Sequence, residues 1–166
     1  MHLTGKLFIA FVFISSALCA AESRLLVSYG GSQKELFAGD LAKLPAVEIE
    51  TSDHGQSHRY HGIAVRDVLM LVNAPLGEKL RGPANALVVK VRAADGYVSA
   101  FALAEFDAAF REQTILLVDA QDGKPLPDHS GPLRLVCPGD KRGARWVRQV
   151  ISMEIVPVGS APAAKP

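Results

Sequence analysis

Leu87-Val88-Val89-Lys90-Val91-Arg92-Ala93-Ala94-Asp95-Gly96-Tyr97-Val98-Ser99-Ala100-Phe101 is the stretch that decides the fold. Leu87 to Ala93 is rich in β-branched residues and reads as a strand. Asp95-Gly96 follows, and a tight hairpin turn needs the positive φ that this pair tolerates. Tyr97 to Phe101 then returns. An antiparallel hairpin is therefore expected at the centre of the chain.

Working outward, the same grammar repeats. Upstream, Val65, Val68, Leu69 and Val72 fall at helical spacing and give one apolar face, which Pro75 ends. Before that helix, Val47, Ile49 and Thr51 alternate with Glu48 and Glu50, the pattern of a half-buried strand. Ser52 to Gly55 reads as its turn, and Ser57 to His61 as the returning strand. Asp40 to Leu44 reads as one helical turn capped by Asp40. Leu25 to Tyr29 and Lys34 to Phe37 form a first hairpin around Gly30-Gly31. Downstream, Leu103, Phe106 and Phe110 are expected on one face of a second short helix. Ile115 to Ala120, Leu133 to Cys137 and Val150 to Val156 are further strands, with Asp122-Gly123 as a turn. No βαβ rhythm and no internal repeat recur. The expectation is an α+β domain with a mostly antiparallel or mixed β-sheet and two or three short helices.

Composition narrows the class. The 166 residues are 49% hydrophobic and 21% charged, with a formal net charge of +1. That is too apolar for a disordered chain, and the charge gives no general attraction to nucleic acid or anionic lipid. Residues 1–20 read as a secretory signal peptide: Lys6 gives a positive head, Leu7 to Cys19 carries no charge, and Ala17, Ala20 and Ala21 are small. Cleavage is expected after Ala20 or Ala21, with an uncleaved anchor or a lipidated Cys19 as alternatives. The uncharged run is shorter than a membrane span requires, so no stable span is expected after signal removal. The domain is expected over residues 22–158, with an Ala/Pro-rich tail over 159–166. Export then leaves Cys137 as the only cysteine.

Arg134, Lys141, Arg142, Arg145 and Arg148 crowd one segment with a single acid, Asp140, and Trp146 sits among them. Arginines can bind phosphate or carboxylate bidentately, and the Pro138-Gly139 turn can add amide donors. An anion site is one reading; a solvated basic loop paired with acids is the other. Asp53, His54, His58 and His61 lie within nine residues. A metal site there would need His54 and His58, because strand alternation sends His58 and His61 to opposite faces. Cys137 shares strand parity with Leu133 and Leu135, so it is expected in the core. His129-Ser130-Gly131 lacks the flanks of a nucleophile elbow.

Several segments, in order, resemble the oxidoreductase molybdopterin-binding domain family, with its sulfite-oxidase-like fold. They are Tyr60-His61-Gly62-Ile63-Ala64-Val65-Arg66-Asp67-Val68-Leu69, then Ala94-Asp95-Gly96-Tyr97, then Asp122-Gly123-Lys124-Pro125-Leu126. The longest runs from Gly131 through Asp140 and on through Arg145-Trp146-Val147 to Ile151 and Ile155. The resemblance spans about residues 45 to 157. It implies that Arg142 and Arg145 stand where the family's basic loop helps hold the pterin phosphate, and that Trp146 matches the family's tryptophan; Arg134, from the same basic segment, is a further candidate for cofactor binding. It also implies a cysteine thiolate on the metal, before the glycine-containing segment that enters the helix. The corresponding stretch here, Thr51-Ser52-Asp53-His54-Gly55-Gln56, has none. The fold is therefore expected without the metal chemistry. The chain is expected to be a small module, in a bacterial periplasm, that binds an anionic ligand or an envelope protein partner and no nucleic acid. No bound cofactor is expected. A reduced molybdopterin-dependent oxidoreductase is the alternative.

Overall fold

The computed structural model describes residues 24–53 and 55–159. Both the signal-peptide segment and residues 160–166 of the expected tail lie outside them, as does His54. No helix of the described residues is long and apolar enough to cross a membrane.

Ten strands and two α-helices follow in order: β1 (Arg24–Tyr29), β2 (Ser32–Phe37), α1 (Ala38–Leu41), β3 (Ala46–Asp53), β4 (Gln56–Ala64), α2 (Val65–Met70), β5 (Leu87–Ala93), β6 (Val98–Ala102), β7 (Leu116–Gln121), β8 (Lys124–Pro125), β9 (Arg134–Val136) and β10 (Val150–Pro157). Single 3₁₀ turns occupy Gly77–Lys79, Gly82–Ala86, Leu103–Phe106 and Gly143–Arg145. The first sheet runs β2-β1-β10-β5-β6, with β1 and β10 parallel and the other pairs antiparallel. The second runs β3-β4-β7, and the far edge of β7 is shared by β8 and β9. The result is the α+β, mixed-sheet class that the sequence pattern implies.

The central hairpin forms as expected: Val91 faces Ser99 across it, and Gly96 has φ +90°. Along β3, exposure alternates residue by residue, with Val47, Ile49, Thr51 and Asp53 turned inward. One hydrophobic cluster draws on both sheets and on α2, with Leu25, Tyr60, Leu69, Phe101, Leu117 and Met153 fully buried within it. Cys137 is in this core, fully buried.

Two local expectations change. Asp40 is the third residue of α1 rather than its cap, because α1 starts at Ala38; its carboxylate reaches back to accept the Phe37 N–H at 3.2 Å. The second expected helix stops at Phe106. Asp107 takes an extended conformation, and its carboxylate accepts the N–H groups of Gly77 at 2.6 Å and Ala109 at 3.0 Å. Phe110 is consequently 58% exposed instead of lining a helix face.

Candidate functional site

The β3–β4 hairpin and the loop after β9 face each other across a cleft of about 540 Å³. Ser52, Asp53 and Gly55 form one wall at the hairpin tip; Asp140, Lys141, Arg142, Gly143 and Ala144 form the other, and Trp146 closes the end. The cleft thus joins the stretch corresponding to the family's thiolate with the basic loop.

Trp146 is buried, and its Nε1 donates to the Cys137 carbonyl at 3.0 Å. That bond fixes the end of the loop against β9. Tyr60 meets Trp146 edge-on, with centroids 6.0 Å apart. The Arg134 guanidinium lies against both rings, 5.9 Å from the Tyr60 centroid and 5.4 Å from that of Trp146, and pairs with Asp53 at 2.7 Å. Both partners of that pair are nearly enclosed, with side chains 7% and 13% exposed. Burial pushes the Tyr60 phenol up from its ordinary value, against the pull of Arg134. Among the described residues, Tyr60 Oη and Arg134 Nε are buried without a hydrogen-bond partner, and neither residue lines the cleft.

Arg145 turns away from the cleft into an ion network. Its Nε and Nη2 bond the two Asp140 oxygens at 2.9 and 2.8 Å, and Nη1 reaches Glu105 at 2.8 Å. The hydrogen bond to Asp140, then those to Glu105, raise its already high pKa. Arg111 joins the same two carboxylates at 3.4 and 3.6 Å and donates to the Pro138 carbonyl. Two arginines and two acids thereby anchor both ends of the loop. Gly139, at φ +84°, allows the close passage: a Cβ there would meet Gln113 Oε1 at 2.1 Å. Tyr97 braces the loop again, its hydroxyl donating to the Ala144 carbonyl at 2.8 Å.

Of the four residues singled out by sequence, Arg142 and Trp146 line the cleft. Arg134 lies beneath it, neutralised by Asp53, and Arg145 is neutralised by Asp140 and Glu105. Lys141 and Arg142 line the cleft and make no ion pair among the described residues; Arg148 makes none either but does not line it. Sequence reasoning missed Glu105 and Arg111, whose partners lie far along the chain.

These residues do not fit a thiolate-held metal. Among the described residues no sulfur lines the cleft. The Cys137 thiol is enclosed in the core, where burial, with Asp140 nearby, pushes it up to about 12, and its Sγ faces the Arg145 carbonyl at 3.7 Å. Asp53 is engaged by Arg134.

The histidines go elsewhere. His58 Nδ1 is 2.7 Å from Asp122, and His61 Nδ1 is 2.9 Å from Asp119. His58 is half-buried against Tyr60, while His61 is open to solvent. Among the described residues no three metal-binding side chains converge.

Comparison with known proteins agrees with this fold. Among curated proteins nothing matches the chain. Among solved structures, the sulfane dehydrogenase SoxCD from Paracoccus pantotrophus is similar over 82% of this chain, with 19% sequence identity and a TM-score of 0.60. The match spans only 39% of that protein's chain. The family model of the oxidoreductase molybdopterin binding domain matches residues 32–160. The chain belongs to the oxidoreductase molybdopterin-binding domain family.

Proposed function

We propose that this chain is an exported, periplasmic binding module that uses the family fold without molybdenum chemistry. Its ligand is an anion, either a small molecule or an anionic group on an envelope protein partner, held between Lys141 and Arg142 in the cleft. The observation that carries this reading is the division of the basic segment. Arg134 and Arg145 take up the two acids that line the cleft, Asp53 and Asp140, whereas Lys141 and Arg142 line it without an ion pair among the described residues. Two open cations opposite a polar hairpin tip offer charge-assisted hydrogen bonds to phosphate-like oxygens.

Calorimetric titration with inorganic pyrophosphate tests it. Binding that weakens steeply with salt, and drops at least about ten-fold in Lys141→Ala/Arg142→Ala, is expected for loss of charged hydrogen bonds. Absence of binding at low salt, or equal binding by the double variant, would refute the reading.

A further inference from the structure

A second concavity lies along the end of β4, at His61, Gly62 and Ile63. It is a groove of about 970 Å³ between α1 with its following turn and the segment 123–133. It shares no lining residue with the basic cleft. Leu41, Leu44, Ile63, Leu117, Leu126 and Leu133 are among its apolar lining residues. Its volume is in the range of small-molecule sites, and such sites combine apolar walls with a few fixed polar groups.

The polar group here is the pair His61–Asp119, which lines the groove. Asp119 Oδ1 lies 2.9 Å from His61 Nδ1. A carboxylate only accepts, so the shared hydrogen sits on Nδ1. The tautomer with its hydrogen on Nδ1 offers an acceptor at Nε2. The charge of the lining selects further. Asp119 and Asp128 are both present, and Lys124 is the only lysine or arginine among the lining residues. A carboxylate or phosphate ligand would meet like charge, whereas a neutral hydroxyl would not.

We propose that this groove is a second binding site, for a small apolar ring molecule whose hydroxyl donates to His61 Nε2. The walls supply affinity and the histidine supplies selectivity for the hydroxyl.

Two probes of matched shape test the proposal: 2-naphthol, which can donate, and 2-methoxynaphthalene, which cannot. Titration of the methyl-labelled full chain, followed by NMR, should move the Leu41, Ile63, Leu126 and Leu133 methyl signals with 2-naphthol. His61→Ala should weaken 2-naphthol about five-fold, the size of one hydrogen bond, and leave 2-methoxynaphthalene unchanged. Ala42→Trp, on the groove's exposed rim, should weaken both probes; its fold is checked by circular dichroism. Methyl signals that stay still, or a His61→Ala variant that treats the two probes as the wild type does, would overturn the proposal. The readouts are independent of pyrophosphate binding at the basic cleft.

Discussion

Asp53 and Arg134, 81 residues apart in sequence, meet at 2.7 Å beneath the basic cleft. Their pairing ties the β3–β4 hairpin to β9 and removes one arginine from ligand binding. Breaking a buried pair by deleting one partner leaves the other charge enclosed and alone. Asp53→Ala should therefore destabilise the fold by about 3–5 kcal/mol. Asp53→Ala combined with Arg134→Met should recover much of that loss. Urea unfolding of the two singles and the double variant measures it, and purely additive losses would deny the coupling.

The two arginines assigned opposite roles should separate cleanly. Arg145→Ala abandons Asp140 and Glu105 to Arg111 alone, and a stability loss of about 2–3 kcal/mol is expected. Arg142→Ala touches an exposed, unpaired cation and should stay within about 0.5 kcal/mol of wild type. Pyrophosphate affinity should fall in Arg142→Ala through lost contact. Equal stability losses in both variants would contradict the division of the segment.

Asp107 gives a pH signature. Hydrogen bonds from the Ala109 and Gly77 amides hold its carboxyl below the ordinary value. A depressed folded value means that stability is present above the unfolded value, near 3.8, and is lost as pH falls through the folded one. Melting temperature between pH 2 and 7 should decline below about pH 4. Asp107→Asn should start lower at neutral pH and decline less. Parallel curves would show that Asp107 does not contribute to the acid limb.

Cys137 should be chemically silent while the chain is folded. With its thiol pushed up to about 12, almost none is thiolate at pH 8, and the thiolate is the nucleophile. In a Cys19→Ser chain, an aromatic disulfide reagent should fail to react until guanidinium unfolds the protein. Rapid labelling of the native chain would place Cys137 outside the core.

These contrasts follow which information is local. The hairpin at Asp95-Gly96, the alternation along β3 and the core position of Cys137 are written in neighbouring residues, and all three are legible in the sequence. The end of the second expected helix is less so. Leu103, Phe106 and Phe110 keep helical spacing, but Asp107 directs its carboxylate to Gly77, thirty positions away, and the chain leaves the helix. The same limit applies to the site. The basic segment is visible as composition. Which of its cations remain open depends on Asp53 and Glu105, which only the fold brings near. Likewise His61 and Asp119 are separated by 58 positions and become a pair only when β4 meets β7.

The proposed binding role requires this family fold to work without a molybdenum centre. Elemental analysis together with mass spectrometry of the cofactor fraction, on protein purified from a host that makes molybdopterin, tests it most directly. No stoichiometric molybdenum and no bound pterin are expected. One molybdenum and one pterin per chain would contradict it.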